Sequence, residues 1–369
     1  KAVDTFDLVQ LNKEFTAKAK EGIAADPIFT EADVNALKEG EDSEVIEKLV
    51  SEEHSEPIEH EGKLVGCVKR AHDVDPNLTA HVMFENLVVK ASGVLAARYL
   101  VKVTGIDPAS IEYVIECSEE ACGDMNQRGG GNFAKSIAEC CGFTGATGSD
   151  LRGFCAAPTH ALISAASYVK AGIYKKVLVI GAEAMSRVID WTDRGTCILF
   201  GDGAGAVVLG EVENGGYMAS HLVADGSGAS ELLVPAGGTK EPVSKEKIDN
   251  KDIYLKMNGR EIFKFAVRVF PETVEDVLGQ TGITADDVDL FIPHQANIRI
   301  IESIAKRFKQ PLDKFFVNLN KYGNTSAGSI PIALDEAIKE GKLKKGDKFV
   351  ATGFGGGLTY GSILVEISK

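Results

Sequence analysis

Cys155 is flanked by small side chains and is followed at once by a helical pattern. In "DLRGFCAAPTHAL" (150–162) its neighbours are Gly153, Ala156 and Ala157. Small neighbours leave room for a thioester, and the positive end of a helix dipole favours a thiolate. The pattern predicts a nucleophile with a lowered pKa, whereas an isolated cysteine is more often a small core residue.

Two further polar residues lie at positions typical of α/β active sites. His294, in "FIPHQANIRI", stands where an apolar strand gives way to polar residues, and carboxyl ends of strands are where such folds place their sites. Asn324, in "KYGNTSAGSIPIAL", lies in a turn before a helix, where a turn or cap residue is also expected. Together with Cys155 they predict acyl-thioester chemistry.

The elements that must position these residues alternate between short strands and helices from about residue 111 onward. This alternation predicts an α/β layered fold. Two segments, 196–212 and 349–367, each indicate two strands joined across glycines, which suggests an internal duplication. We expect a first half over 91–212 with the cysteine and a second half over 213–369 with the histidine and asparagine.

The first ninety residues differ from the rest. Residues 1–90 are strongly acidic and helical in pattern, which predicts a solvated extension or cap. An apolar helical stretch follows over 78–103, with a break between two helices expected near Gly93.

Composition argues against several classes of function. The net charge of −14 disfavours nucleic acid as a partner, and no apolar run is long enough to span a membrane. Seven cysteines without framework spacing fit a reducing cytoplasm, and the spacing of Cys117, Cys122, Cys140 and Cys141 matches no zinc pattern. "GDGAGA" (201–206) is followed by a strand where a dinucleotide site needs a helix, so no cofactor and no metal are predicted.

Five segments, in order, resemble the thiolase superfamily and specifically the β-ketoacyl-acyl-carrier-protein synthase III family. They are "WTDRGTCILFGDGAGAVVLG", "MNGREIFKFAV", "IPHQANIRI", "YGNTSAGSIPIAL" and "GDKFVATGFGGGLTYGSILVEI". The resemblance runs from about Leu95 to the C-terminus. It implies a duplicated five-layer αβαβα fold, here with the acidic helical N-terminal extension, and a homodimer. The family's own N-terminal strand is not recognisable in this chain.

The resemblance also implies roles for single residues. Cys155 matches the acylated nucleophile, and His294 and Asn324 match the pair that binds the thioester carbonyl of a malonyl-carrier-protein substrate. Backbone N–H groups of Cys155 and Gly356 match the oxyanion hole. The substrate-binding positions of the family correspond to Phe354 beside the malonyl carboxylate, Arg194 near the coenzyme A adenine, Asn297 as an orienting residue and Arg299 where the carrier protein docks.

The implied activity is acyl transfer from an acyl-coenzyme A or acyl-carrier thioester to Cys155, followed by decarboxylative Claisen condensation with a malonyl-carrier protein. Coenzyme A is then a substrate and not a cofactor. Segment 146–179 is also similar to the β subunit of glycine reductase component C, which implies a non-decarboxylating acyltransferase in a multi-subunit complex as the alternative. A non-catalytic thiolase-fold subunit is a third reading. A hydroxymethylglutaryl-type synthase is less favoured, although Glu119 and Glu120 lie in a plausible region for its general acid.

Overall fold

The computed structural model describes residues 3–4, 7–52, 55–70, 79–119 and 133–368 of the 369-residue chain. Its N-terminal region contains six elements: β1 (Val9–Leu11), α1 (Lys13–Ala25), α2 (Glu31–Ala36), α3 (Ser43–Ser51), β2 (Ser55–His60) and β3 (Lys63–Lys69). The first half of the main body contains α4 (Ala80–Thr104), β4 (Tyr113–Glu116), α5 (Phe133–Cys140), β5 (Thr147–Asp150), α6 (Ala157–Lys170), β6 (Lys176–Glu183), α7 (Met185–Val188) and β7 (Gly203–Gly210).

The second half contains β8 (Gly216–Ala224), β9 (Leu232–Leu233), α8 (Lys245–Asp249), β10 (Lys256–Met257), α9 (Gly259–Thr281), β11 (Leu290–Pro293), α10 (Ile298–Phe308), α11 (Leu319–Tyr322), α12 (Ser329–Lys339), β12 (Lys348–Gly355) and β13 (Thr359–Glu366). No helix in the described ranges is long and apolar enough to cross a membrane.

Five layers form the main body. Helices α6 and α12 lie between two four-stranded sheets, of order β5-β4-β6-β7 and β11-β12-β13-β8. Helices α4 and α5 cover the outer face of the first sheet, and α9 and α10 cover the outer side of the second. The central core between the sheets is rich in alanine, which lets the two inner helices approach both sheets closely. The predicted αβαβα architecture is confirmed.

The two sheets repeat one pattern of strand directions. In the first, β4 and β6 are parallel and β7 runs antiparallel to β6; in the second, β11 and β12 are parallel and β13 runs antiparallel to β12. The repeat has two asymmetries. Strand β5 extends the first sheet beyond β4, whereas within the described ranges no named strand extends the second sheet beyond β11. Strand β8 pairs with the outer edge of β13, whereas among the described residues no strand pairs with the outer edge of β7.

The segment 196–212 corrects one expectation. It contains a single strand, β7, and the apolar residues before its glycines lie in turns; Phe200 makes only an isolated bridge to Asn324 of the second half. The partner of β7 is β6, which precedes it by a loop and the short α7. The hairpin predicted for 349–367 is present as β12 and β13.

The N-terminal region is only partly helical. Besides α1, α2 and α3 it holds an antiparallel sheet of order β1-β3-β2, in which Glu61 and Gly62 take left-handed conformations at the β2–β3 turn. Such a turn suits the twist of a hairpin. The sheet packs against the start of α4, where Val68 joins Met83 and Leu87 in one apolar cluster.

Helix α4 is continuous from Ala80 to Thr104, so the expected break near Gly93 is wrong. A Cβ at Gly93 would lie 2.9 Å from Ile137 Cδ1 and 3.4 Å from Ile180 Cγ2, so the glycine permits close packing of the helix on α5 and the sheet. The boundary predicted between residues 90 and 91 falls inside this helix.

A polar cluster ties the N-terminal sheet to the main body. Arg187 of α7 donates to Glu56 Oε2 of β2 at 2.9 Å and packs its guanidinium 4.7 Å from the Phe84 ring centroid. His81 and Arg187 also form a hydrogen bond with each other. Hydrogen bonds from His81 and from Arg187 lower the pKa of Glu56 to about 2, although burial of the carboxyl acts in the opposite direction.

We expect Glu56→Gln to lower the free energy of unfolding by about 1–2 kcal/mol near neutral pH, because the variant loses charge-assisted hydrogen bonds. The folded-state pKa of Glu56 lies below its ordinary value of 4.5, so this stabilisation is present above pH 4.5 and is lost as the pH falls towards 2. Thermal unfolding at a series of pH values tests this, with exposed Glu59→Gln on the same strand as control. A difference between wild type and Glu56→Gln that persisted unchanged down to pH 2 would contradict it.

Candidate active site

Cys155 lies on a strained turn between β5 and α6. The turn passes through Gly153 and then Phe154, whose φ of 47° is left-handed, before a short 3-10 turn (Phe154–Ala156) leads into α6. Non-glycine residues adopt this conformation at a cost that neighbouring structure must offset. Cys155 itself is buried, with 4% of its surface exposed.

The glycine loop at the end of β12 lies directly against this turn. A Cβ at Gly355 would be 2.8 Å from the Cys155 backbone nitrogen, and a Cβ at Gly356 would be 2.6 Å from the Phe154 ring. Only residues without a side chain allow so close an approach of two backbones. The loop thus brings the backbone of Gly356 to the nucleophile turn, as an oxyanion hole requires.

His294 lies at the carboxyl end of β11, with its backbone N–H donating to the Thr352 carbonyl at 2.8 Å. Its ring Nδ1 lies 2.7 Å from the Ser329 hydroxyl oxygen, and its ring meets that of Phe354 edge to face, with centroids 5.3 Å apart. Burial lowers the pKa of His294 to about 3, so the imidazole is neutral at physiological pH. In the tautomer in which Ser329 donates to Nδ1, Nε2 carries the proton and can donate to a ligand.

Asn324 is held by segments from both halves. Its backbone N–H donates to the Leu199 carbonyl at 2.8 Å, and its backbone carbonyl accepts from Gly201 at 3.0 Å. Its side-chain oxygen accepts the Ser326 N–H at 2.9 Å. The side-chain NH2 is therefore the group that can donate to a substrate.

The segment 324–329 connects the three predicted catalytic residues. It begins with Asn324, the Ser326 hydroxyl lies 3.5 Å from the Cys155 sulfur, and the Ser329 hydroxyl contacts His294. Phe354 contacts the His294 ring, and Gly355 of the same strand contacts the Cys155 backbone. The structure thus brings Cys155, His294, Asn324, Phe354 and Gly356 into one buried site where the two halves meet.

The expected lowering of the Cys155 pKa is wrong. Burial raises the pKa of the thiol to about 12; a hydrogen bond with Ser326 opposes this, and the nearby Glu183 and Glu119 carboxyls add to it. The N-terminus of α6 lies next to Cys155. The free energy by which its dipole stabilises a thiolate is smaller than the cost of placing that charge in so dry a site. The resting residue is a thiol.

Two family descriptions match the chain. "3-Oxoacyl-[acyl-carrier-protein (ACP)] synthase III" matches residues 149–226, and its C-terminal counterpart matches residues 278–367. A beta-ketoacyl-[acyl-carrier-protein] synthase III from Natranaerobius thermophilus is 43% identical over 286 residues, which cover 76% of this chain and 85% of that protein. The protein of the same name from Fusobacterium nucleatum is 50% identical over 218 residues, 59% of this chain and 66% of its own length.

Solved structures agree with the sequence relatives. The 3-oxoacyl-[acyl-carrier-protein] synthase III of Aquifex aeolicus matches with a TM-score of 0.66 and 36% identity, covering 81% of this chain and 87% of that one. The corresponding synthase III of Thermus thermophilus matches with a TM-score of 0.68 and 34% identity, over 81% and 86% of the two chains. The chain belongs to the β-ketoacyl-acyl-carrier-protein synthase III family. Both matches begin after residue 148, so neither of them includes the N-terminal region.

Sequence reasoning missed the residues that hold this family member's catalytic side chains. Ser329 and Ser326 stand within the quoted "NTSAGS" motif, but their partners His294 and Cys155 are distant in sequence. Gln295 was also missed: its Nε2 donates to the Phe316 carbonyl at 3.0 Å, which anchors the chain immediately after the histidine.

The remaining predicted binding residues lie outside the buried site. Asn297 is the N-cap of α10, where its side-chain oxygen accepts the Arg299 N–H at 2.9 Å, so it orients the helix start. Arg299 and Arg194 are exposed. Their substrate and partner roles stay predictions. Glu120 and Cys122 lie outside the described residues, and within the described ranges no cluster of three acidic, histidine or cysteine side chains could hold a metal.

We expect Gly355→Ala to lower the free energy of unfolding by about 1–3 kcal/mol, because its Cβ would press on backbone that cannot rotate away. Gly279→Ala is the matched control: a Cβ there meets nothing within 4 Å, and alanine in a helix is favoured over glycine by about 0.5–1 kcal/mol. Urea unfolding of the three proteins measures both effects. Equal stability of Gly355→Ala and wild type would show that the two backbones are not in contact.

Proposed function

We propose that this protein is a condensing enzyme of the synthase III type. It transfers an acyl group from an acyl thioester to Cys155 and then condenses that group with a malonyl-carrier-protein thioester, with loss of CO2. The observation that carries this proposal is the buried, neutral His294, held by Ser329 in the site that also contains Asn324 and Cys155.

In the first step the Cys155 sulfur attacks the acyl carbon, and the bond from that carbon to the donor sulfur breaks. Negative charge develops on the carbonyl oxygen as the carbon becomes tetrahedral. The backbone N–H groups of Cys155 and Gly356 are proposed to bind this oxygen. Coenzyme A, the proposed donor, is a substrate that leaves as the free thiol, and no cofactor or metal is needed for this chemistry.

In the second step the malonyl thioester carbonyl accepts hydrogen bonds from His294 Nε2 and the Asn324 NH2. The carboxylate leaves as CO2, and its bonding electrons form an enolate that these donors stabilise. The enolate carbon attacks the acyl carbon, the bond from that carbon to the Cys155 sulfur breaks, and the sulfur takes up one proton from water. Each donor of this kind contributes roughly 2.7–4 kcal/mol to the stability of a developing oxyanion. A neutral imidazole suits this role, because it donates a proton in a hydrogen bond without having to be charged.

The predicted binding positions complete the proposal. Phe354, against the His294 ring, is proposed to lie beside the malonyl carboxylate and to keep water away from it. Exposed Arg194 and Arg299 are proposed to contact coenzyme A and the acidic carrier protein, respectively, and Asn297 orients the helix that carries Arg299. We further propose a cytoplasmic homodimer that binds neither nucleic acid nor membrane.

Mass spectrometry of the intact protein tests the two steps. After incubation with acetyl-coenzyme A and longer acyl-coenzyme A thioesters, we expect wild type to gain an acyl mass that Cys155→Ala does not gain. Cys197→Ala, which removes a half-buried cysteine elsewhere, is the control and should load normally. Malonyl-carrier protein should then discharge the acyl group with release of labelled CO2.

The same experiment separates the alternative. If the acyl group loads but only inorganic phosphate or a partner subunit removes it, the protein is a non-decarboxylating acyltransferase. Absence of loading from every coenzyme A thioester would overturn the proposed acyl donor.

His294→Ala and Asn324→Ala should separate the two steps. We expect each to slow decarboxylation and discharge by about 10²–10³-fold, because one oxyanion donor is lost, while acyl loading of Cys155 continues. Loading is followed by intact mass and discharge by labelled CO2. His60→Ala, in the N-terminal region and partly exposed, serves as the control. Equal slowing of loading and discharge would place these residues in a different role.

A further inference from the structure

The buried thiol of Cys155 needs a proton acceptor. With a pKa near 12 it carries little thiolate at neutral pH, and a thiol is a far weaker nucleophile than a thiolate. His294 is an unsuitable base here, because its Nδ1 bonds the Ser329 hydroxyl and burial lowers its pKa to about 3. Another group must take the thiol proton during attack.

Ser326 offers its hydroxyl to the thiol. The Cys155 S–H donates to Ser326 Oγ over 3.5 Å, and Ser326 has none of its surface exposed. Its φ of 44° is left-handed, a costly conformation for a residue with a side chain. The bond from its N–H to the Asn324 side chain holds it there, so the strained backbone aims the hydroxyl at the sulfur.

Glu183 lies on the other side of Ser326. This residue ends β6 and is buried, with 3% of its surface exposed. Its Oε1 accepts the N–H of Ala327 at 3.4 Å and that of Glu119 at 3.2 Å, which places the carboxyl beside the Ser326–Ala327 peptide. Burial raises the pKa of Glu183 to about 8, and the neighbouring Ser326 side chain limits the rise.

The charged neighbours of Glu183 leave it available as a proton acceptor. The Glu119 charge raises its pKa further, while the Glu119 carboxylate itself is bound by the N–H groups of Gly153 and Phe154. Cys155 is the other titratable group facing it from the nucleophile turn.

Charged side chains on the elements packed against β6 include Glu116, Lys90 and Asp202, and each has other partners. Glu116 of β4 is buried, and its Oε1 accepts the Ser118 N–H at 3.0 Å. Lys90 of α4 donates to the Val3 carbonyl at 3.1 Å and lies over the Phe133 ring. Asp202, just before β7, accepts from the N–H and hydroxyl of Ser186.

We propose that Ser326 and Glu183 form a proton relay that activates Cys155 for acyl loading. This inference rests on the proposed loading step. As the sulfur–carbon bond forms, the thiol proton passes to Ser326 Oγ and the Ser326 hydroxyl proton passes to the Glu183 carboxylate. As the bond from the acyl carbon to coenzyme A breaks, that proton leaves with the coenzyme A thiolate, so Ser326 and Glu183 return to their starting states.

Alkylation of Cys155 by iodoacetamide between pH 6 and pH 10 tests the relay without any acyl substrate. Peptide mass mapping follows Cys155 separately from the other cysteines. For wild type we expect the rate to rise with pH to a midpoint near 8 and then level off, because the carboxylate acts as base and is ionised above its pKa. In Glu183→Gln and Ser326→Gly the midpoint should disappear, and the rate at pH 9 should fall by about 10²-fold.

The variants are chosen to keep the fold. The glutamine side chain in Glu183→Gln has the shape of the protonated carboxyl that predominates below pH 8, and glycine in Ser326→Gly suits the positive φ better than serine does. Ser362→Ala removes a hydroxyl that is equally buried but bonded to Thr273 and Thr352, and it should keep the wild-type pH profile.

Acyl loading supplies the second readout. The rate of loading from acetyl-coenzyme A should fall by the same factor in both variants, whereas acyl-enzyme prepared by long incubation should discharge at the wild-type rate. A wild-type alkylation rate that rises tenfold per pH unit through pH 10 without levelling would overturn the relay. So would a midpoint that survives in both variants or vanishes in His294→Ala. Because alkylation needs neither coenzyme A nor malonyl-carrier protein, these results stand even if the proposed condensation fails.

Discussion

Backbone lies against backbone where the two halves of the molecule meet, and the site depends on this contact. On one side, a Cβ at Gly353 would be 3.0 Å from the Cys155 carbonyl oxygen. On the other side, a Cβ at Gly181 of β6 would be 2.1 Å from the Ala327 carbonyl oxygen. Any side chain at these positions would force the halves apart. Since peptide groups cannot rotate away as side chains can, the geometry around the sulfur is set by the packing of the sheets themselves.

The duplicated topology explains why two halves can supply one site. Each half presents the carboxyl ends of its parallel strands to the same seam: β5 leads to Cys155, β6 ends at Glu183, and β11 leads to His294. The inner helices α6 and α12 begin at this seam, so their N-termini face the region where an oxyanion would develop. The N-terminal region packs on α4, at the outer side of the first sheet. A departure from the family in that region therefore leaves the catalytic arrangement intact.

The sequence predicted those parts of the site that follow from local pattern. Cys155, His294 and Asn324 stood at strand ends or turns, and motifs of specific composition surrounded them. The strand expected before Gly201 was wrong because an apolar run next to glycines resembles a strand, whereas Phe200 is held by a single bridge to a residue more than a hundred positions away. The N-terminal sheet was missed because β2 carries acidic residues and none of its residues is buried, although Glu61-Gly62 is a sequence typical of a turn. The partners Ser326 and Ser329 could not be deduced, since only the fold brings them to Cys155 and His294.

The pKa of Cys155 was mispredicted for a physical reason that bears on the whole reaction. A helix terminus stabilises a negative charge by about 0.3–1 kcal/mol at a surface and by up to about 2 kcal/mol when partly buried. Removing an ion from water costs several kcal/mol even after the protein relaxes.

The second step of the proposed reaction needs the dry surroundings, because hydrogen bonds from His294 and Asn324 to an enolate are strongest where water does not compete. The first step is hindered by the same dryness, since it must create charge on sulfur. A buried acceptor that takes the proton as the new bond forms reconciles the two steps, because no free thiolate has to exist before the sulfur attacks. Between turnovers the cysteine then remains a thiol, the form least open to alkylation and oxidation, until an acyl thioester enters the site.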